Sequence, residues 1–269
     1  MFGEDGPTRG AIHIGTSGWH YRHWVGPIYP KEMKPAQFLA FYARQFRTVE
    51  INASFYKLPQ ASTFAKWRDS TPDNFVFACK ASRYLTHRKK LTDPKQSSKL
   101  FFAAIRHLKR KLGPVLVQLP PRWRVNEERL DTFLEAAPKQ FRLAFEFRDE
   151  SWHTPAIFTI LEKHKAALCI HDFGGRQSPI EVTAPFVYVR LHGPEGAYRG
   201  RYGAQALKAW ARRLRNWAAD GRDAFCYFDN DEAGFAFMDA ARLLALVGDP
   251  RRRTPSERTR IRQRLHQGG

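Results

Sequence analysis

Eight short apolar runs, spaced along almost the whole chain, constrain the fold more than any other feature. They are AIHIG (11–15), TVEIN (48–52), FVFACK (75–80), PVLVQLP (114–120), LAFEFR (143–148), AALCIH (166–171), FVYVRLHG (186–193) and AFCYFDN (224–230). Their length and their Val, Ile and Phe content mark strands, and near-continuous apolar character marks strands covered on both faces. Helical patterns lie between most of them. PAQFLAFYARQF opens with Pro35 where a first helical turn needs no N–H donor, and NEERLDTFLEAAP has Asn126 placed as an N-cap. SSKLFFAAIRHLKRKL spaces Leu100, Phe101, Ala104, Ile105, Leu108 and Leu112 as one stripe. ALKAWARRLRNWA sets a Leu207–Trp210–Leu214–Trp217 stripe against a basic face, and GFAFMDAARLLALVG closes the series. Strands alternating with helices build a parallel sheet. Eight such units in 269 residues predict an α/β fold, a single (β/α)8 barrel of the TIM type, over residues 11–248. Such barrels typically take about 250 residues. The segment between the sixth and seventh runs lacks a helical pattern. GTSGW after the first run is neither a dinucleotide-binding nor a phosphate-binding glycine loop.

The fifth run carries the first functional signal. In RLAFEFRDESW, Leu143, Phe145 and Phe147 share one face, and Ala144, Glu146 and Arg148 share the other. In a barrel one strand face points to the axis, and sites form at the C-terminal strand ends. Other runs end in the same way. Glu50 and Asn52 close the second, Lys80 the third, Gln118 the fourth, and Arg190 and His192 the seventh. The facing of His171–Asp172 and Asp229–Asn230 is open. Buried ionisable groups are costly unless paired. A salt-bridged plug would let Glu50 and Glu146 neutralise Lys80, Arg148 and Arg190. Recruitment of so many strands argues instead for a pocket, net positive and suited to a carboxylate or phosphate. Arg190 is then a pocket-wall residue whose removal spares the fold.

The loops after the strands add aromatic and cationic side chains to the same rim: Trp19, Tyr21 and Trp24 with neighbouring His and Arg, then Arg83 to Lys90, Trp123, Trp152, His153, Tyr198 and Tyr202. Aromatic faces among cations can stack bases or sugars while phosphates are held, or can pack on one another as lids.

Charge points the same way. Forty-five basic residues against 26 acidic ones give +19. Residues 249–269 contribute seven arginines against Asp249 and Glu257, or +5 of that total. This basic C-terminal tail is expected to be disordered or to act as a nucleic-acid arm, and residues 1–10 to form a flexible N-terminus. A strongly basic chain favours polyanionic partners, although an Arg-rich solvated surface would read alike. No apolar run approaches the ~20 residues that span a bilayer, and the polar MFGEDGPTRG start does not read as a signal peptide. Cys79, Cys169 and Cys226 stand alone in apolar segments, as in a reduced cytoplasm. The expected location is cytoplasmic, with no membrane partner; the oligomeric state is open.

At this level of detail the chain resembles the DUF72 (YecE-like) family. The matching stretches are IGTSGW, FRTVEINASFYKLP, FVFACKAS with LTH, LGPVLVQLPP, AFEFRDESW and VYVRLHG, spread from residue 12 to about 230. The resemblance implies a TIM-barrel-type fold and a pocket rather than a particular reaction. It carries over Glu50, Asn52, Lys80, His87, Gln118, Glu146, Arg148, Trp152, Arg190, His192 and Asn230. Two departures add an acid each: Asp149 stands where the family often has His, and Asp229 where it often has the first of two asparagines. The endonuclease IV-like barrels, which cut DNA with zinc, are similar at the level of fold alone.

Three functions fit these residues. The first is an enzyme doing acid/base chemistry on a phosphate-bearing substrate, a hydrolase, lyase or isomerase without a cofactor. Its catalytic groups would be Glu50 or Glu146 as base and His192 or His87 as acid. Asn52, Lys80, Gln118, Arg148, Trp152, Arg190, Asn230, Trp19 and Tyr198 would bind the substrate. The second is a metal-dependent phosphodiesterase on nucleic acid, which needs a divalent ion and a convergent set drawn from His192, Asp172, Glu146, Asp229, His171 and His87. No HxH or HExxH pairing is present and three nearby cations would repel the ion, so a metal-free pocket is preferred. The third is a non-catalytic barrel that binds a nucleotide or nucleic acid. The expected partner is thus an anionic small molecule or nucleic acid.

Overall fold

The computed structural model describes residues 8–248. The Arg-rich segment 249–269, and residues 1–7 of the N-terminus expected to be flexible, lie outside the described residues. The strands are β1 (Ile12–Thr16), β2 (Thr48–Ile51), β3 (Val76–Lys80), β4 (Leu112–Gln118), β5 (Leu143–Glu146), β6 (Ala167–Phe173), a two-residue β7 (Arg176–Gln177), β8 (Phe186–Leu191) and β9 (Asp223–Phe228). The helices are α1 (Phe38–Gln45), α2 (Ala53–Tyr56), α3 (Ala61–Asp69), α4 (Pro94–Ile105), α5 (Glu127–Ala136), α6 (Pro155–Lys163), α7 (Ala204–Ala219) and α8 (Phe235–Val247).

The parallel strands run in the order β1-β9-β8-β6-β5-β4-β3-β2, which leaves β1 and β2 to meet. They do so through a single parallel bridge between Ser17 and Glu50. The result is an eight-stranded, nearly closed barrel with helices outside, as the alternating runs predict. Gly15 sits where the seam is tightest. A Cβ there would lie 2.3 Å from the Thr48 carbonyl oxygen, so glycine lets β1 and β2 approach.

The connection expected to lack a helix does lack one. After β6 the chain turns back as β7, antiparallel to Asp172 and Phe173. It then reaches β8 by an extended segment, where Thr183 Oγ1 donates to the Ala166 carbonyl at 2.7 Å and accepts from Leu168 N at 2.8 Å. Elsewhere local chemistry follows the sequence. Asn126 caps α5 by accepting from Arg129 N at 2.8 Å. The Leu207, Trp210, Leu214 and Trp217 stripe of α7 is buried. Leu100 departs from its expected stripe: it is 75 % exposed, while Phe102 is buried in its stead. The helix ends at Ile105 and the chain continues as a tighter 3-10 segment, so a single 3.6-residue period does not carry through to Leu112.

Two apolar layers hold the barrel. The outer one packs strand residues such as Ile51, Val117, Phe145, Ile170 and Val189 against the helices. The inner one fills the barrel with Ala78, Leu116, Ala144, Cys169, Tyr188, Phe225 and Tyr227. The last inner residue of each of six strands is followed, two positions on, by a polar one at the C-terminal end: Lys80, Gln118, Glu146, His171, Arg190 and Asp229. With a period of two, these side chains face the same interior one layer higher. The small Ala144 therefore belongs to the packed layer, and Glu146 to the layer above it.

Candidate functional site

Arg190 is the centre of this polar layer. Its guanidinium has no solvent exposure and donates from Nη1 to Glu146 Oε2 (2.8 Å) and from Nη2 to Glu50 Oε1 (2.8 Å), Asp229 Oδ2 (2.9 Å) and Ser17 Oγ (2.8 Å). Tyr188 donates to the other Glu50 oxygen at 2.6 Å, and Ser17 bonds Glu50 Oε1. Asn52 reaches the same group by donating to Ser17 Oγ at 2.7 Å. His192 stands between two carboxylates, Nε2 3.0 Å from Glu146 Oε1 and Nδ1 3.1 Å from Asp229 Oδ2. Arg148 adds a 2.6 Å ion pair from Nε to Glu146. Burial would raise the Glu146 pKa, but Arg148, Arg190 and His192 overrule it and hold the carboxyl well below its usual range. Asp229 is lowered in the same way, with Arg190 and His192 outweighing burial.

The plug and the pocket thus both exist, one above the other. Glu50, Glu146, Arg190 and His192 are sealed into an ionic floor with no solvent exposure. Arg190 is a keystone of that floor and not the dispensable wall residue the sequence suggests. Above it opens a cavity of about 670 Å³ whose lining includes Trp19, Tyr21, Tyr56, Trp67 and Tyr198 with Asn52, Lys80, Asp229 and Asp231. Of the floor carboxylates, Asp229 reaches this space, with 13 % of its side chain exposed.

Nor is the cavity net positive, as the strand ends suggest. Lys80 and Arg199 face Asp229, Asp231 and Glu232 across it. These acids have partners, however. Asp229 is held by Arg190 and His192, and Glu232 lies 3.3 Å from Arg199. Asp231 accepts from Trp24 Nε1 at 2.8 Å and lies 2.9 Å from His23 Nε2. Lys80 differs. The residue is 8 % exposed, and its ammonium sits 4.4 Å from the centre of the Phe55 ring with no carboxylate within ion-pair distance among the described residues. Burial first, and the Arg190 charge second, pull its pKa down to about 8 against the pull of the surrounding carboxylates. Asp231 moves the opposite way, pushed up by burial to about 6.

The remaining sequence candidates are distributed differently. Trp19 and Tyr198 line the cavity. Gln118 and Arg148 line a second cavity that shares Tyr198 with the first. Trp152 is buried in the outer core, stacked 4.9 Å from Phe147 and donating Nε1 to the Trp123 carbonyl at 2.6 Å. Asn230 points away from the axis, where its amide donates to Asp239 on α8 (3.0 Å) and to the Gly200 carbonyl (2.9 Å). His87 packs on Phe55 and bonds Thr86 Oγ1 at 2.9 Å, its pKa lowered to about 4 by burial and then by Arg83 and Lys80. The donors considered for a metal are not gathered into one set. His192 is engaged by Glu146 and Asp229, and the His171 ring lies 3.4 Å from the Cys169 carbonyl. A close His/Asp/Glu grouping among the described residues is Asp131, Glu135 and His164 on α5 and beyond α6, where Lys163 already pairs with Asp131 at 2.9 Å. Ser17, Tyr188 and Asp231 carry functional geometry that strand-end reasoning passed over. Ser17 and Asp231 lie beyond the strands, and Tyr188 reads as core.

Comparison with known proteins decides the family. The model of "Protein of unknown function DUF72" matches residues 13–263. The chain belongs to the DUF72 family. Among curated DUF72 relatives, UPF0759 protein YunF of Bacillus subtilis is 29% identical over 271 residues, covering 88% of this chain and 94% of its own. UPF0759 protein YecE of Escherichia coli is 29% identical over 138 residues, 51% of this chain and 48% of its own. A DUF72 family protein from Thermotoga maritima superposes with a TM-score of 0.80 at 27% identity, covering 89% of this chain and all of the other. D-psicose 3-epimerase, at a TM-score of 0.55 and 15% identity, shares the fold alone.

Proposed function

We propose that this DUF72 protein is an enzyme that does acid/base chemistry on a small anionic, phosphate-bearing substrate held in the 670 Å³ cavity. The observation that carries this reading is the Lys80 ammonium, buried at the cavity floor without a carboxylate of its own. A buried charge left unpaired is costly, and a ligand anion is the natural counter-charge. The aromatic wall of Trp19, Tyr56 and Trp67 suits a ring attached to that anion. Asp229 and Asp231 supply the proton chemistry. Their environments push their pKa values apart: Asp229 stays ionised as base, while Asp231, raised to about 6, is the carboxyl that holds a proton more readily and serves as acid at mildly acidic pH. Glu50, Glu146 and His192 then act through Asp229 by fixing its position and charge and do not touch substrate. The free, buried Cys79, Cys169 and Cys226 support work in a reduced, cytoplasmic compartment.

Titration calorimetry with inorganic phosphate, sugar phosphates and nucleoside monophosphates tests the binding. Affinity should fall at least tenfold in Lys80→Met. Incubation of the same compounds in deuterium oxide, read by proton and phosphorus NMR, tests the chemistry. Isomerase or lyase action exchanges a carbon-bound proton, hydrolase action releases phosphate, and Asp229→Asn should stop either. Equal phosphate affinity in the parent and Lys80→Met removes the reading.

A further inference from the structure

Beside the cavity above Lys80 lies another of about 690 Å³. Tyr198 lines both. Its backbone has φ 65°, a left-handed conformation uncommon for a bulky residue. Two packing contacts fix the ring, edge-on to His192 at 5.7 Å and to Phe173 at 6.0 Å. Gly193, φ 115°, makes the loop possible, because a Cβ there would lie 2.2 Å from the Arg199 carbonyl oxygen.

The second cavity differs in chemistry from the first. Its polar lining includes Gln118 from β4, Arg148, Glu150 and His153 from the segment after β5, His171 from β6, and Arg176 from β7, with Phe173 as an aromatic side. Arg148 is already paired with Glu146, and its guanidinium lies 4.6 Å from the Phe173 ring centre. Both imidazoles are disfavoured as cations, His171 falling to about 4 and His153 also lowered, in each case chiefly by burial. Arg148 is offset by Glu146, and Glu150 and Arg176 carry opposite charges, so the lining offers hydrogen bonds with little net charge. Two of its polar atoms, Gln118 Oε1 and His153 Nε2, are buried and have no hydrogen-bond partner among the described residues. A buried polar atom left unmet costs stability, and native proteins leave few.

We propose that the second cavity is a subsite for an uncharged polar ring, so that the substrate is a two-part molecule. Its anionic group lies by Lys80, and a nucleobase or a sugar passes Tyr198 to satisfy Gln118 and His153. The proposal rests on the functional reading above for the anionic half only. Phe173 and Tyr198 offer faces to the ring, while the amide and imidazole supply an acceptor and a ring nitrogen for its hydroxyl or amino groups. The two halves would meet over the Glu146–His192–Asp229 line, which runs from Arg148 beside one cavity to Asp229 in the other. A single ligand spanning both would lose less entropy than two independent ones.

Histidine side-chain NMR of the full chain tests this without relying on phosphate. Adenosine and glucose, added separately, represent the two sources of an uncharged ring. One of them should shift the His153 and His171 resonances and leave those of His20 and His23, at the first cavity, in place. Inorganic phosphate should do neither to His153 nor to His171. In calorimetry, the matching monophosphate (adenosine monophosphate or glucose 6-phosphate) should bind at least tenfold tighter than phosphate. That gain should vanish in Gln118→Leu and in His153→Phe, while phosphate affinity stays as in the parent. Failure of both uncharged probes to move either histidine overturns the proposal, as does an unchanged gain in both variants. Loss of phosphate binding with the histidine shifts retained would instead count against the Lys80 reading and leave the subsite standing.

Discussion

Lys80→Met should make the protein more stable while it removes anion binding. Methionine keeps most of the apolar stem, but it removes the ammonium over the Phe55 ring, whose pKa burial has pulled from 10.5 to about 8. Each pH unit of such a displacement corresponds to about 1.4 kcal/mol, so the charged form is destabilised by roughly 3 kcal/mol in the folded state. Part of this will be returned, since Lys80 also helps hold Asp229 ionised. An expected gain of about 1–3 kcal/mol at pH 7 follows. The pH dependence identifies the cause. An unfolded lysine keeps its proton to about pH 10.4, whereas folded Lys80 begins to lose it near 8. Between those values the unfolded state binds more protons, so the stability of the parent rises with pH. The variant lacks that rise. Urea unfolding of both proteins at pH 7, 8.5 and 10 should show the variant ahead by the full amount at pH 7 and the gap closing by pH 10. Comparing the two proteins at each pH cancels the tyrosines that also titrate at the upper end. A variant less stable than its parent at pH 7, or a gap that does not change with pH, would refute the argument that this ammonium waits for a counter-charge.

Arg190→Ala should cost about 3–5 kcal/mol, because it leaves Glu50, Glu146 and Asp229 buried without their shared cation; a shift in the urea midpoint measures this. Asp231→Asn should flatten the pH dependence of stability between about 4 and 6. The folded parent keeps that proton to about 6 and the unfolded chain loses it near 3.9, so the parent loses stability as pH rises through the window. Thermal melts at pH 4, 5 and 6 report the slope, and equal slopes in parent and variant would contradict it. Asp239→Ala should lower stability by about 1–3 kcal/mol, since its buried carboxylate accepts from Tyr202 N, Asn230 Nδ2 and Arg242 Nη1. Phosphate affinity should not change, which calorimetry can check.

Much of the barrel was legible because apolar runs of strand length are contiguous in sequence, and a parallel strand needs no partner information to be seen. The facing of Glu50, Lys80, Glu146 and Arg190 was legible for the same reason: with a period of two, an apolar interior residue fixes the face of the next. Depth was not. Sequence places Lys80 and Arg190 on the same face but says nothing of which is covered, because cover comes from Ser17, Tyr188 and the strands opposite. Trp152 and Asn230 were misplaced as binding groups for a related reason. Each is a polar-tipped residue that follows a strand, yet one step of alternation turns Asn230 to α8, and Trp152 lies on a short loop turn that folds it onto Phe147. Leu100 shows the limit of apolar periodicity: α4 buries the face of Ser97, Ser98, Phe101, Phe102 and Ile105, and Leu100 falls outside it.

The ionic floor explains why so costly a layer can persist in the barrel. A barrel interior filled to the top with apolar side chains would be stable and have no site; one left open would expose strand ends to water. Arg190 resolves this by drawing two glutamates and an aspartate from three strands into one buried knot. That knot closes the packed layer beneath it and fixes Asp229 at the boundary with the cavity. Because the arginine and its carboxylates satisfy one another, Lys80, one strand over on β3, is left as a cation without a fixed counter-ion. The same pairing that makes the floor structural is therefore what makes Lys80 available to a ligand. A conservative Arg190→Lys change tests that linkage: a point-like ammonium cannot bridge three carboxylates as the planar fork does. One carboxylate would be released toward Lys80, and phosphate affinity should drop even if the protein folds.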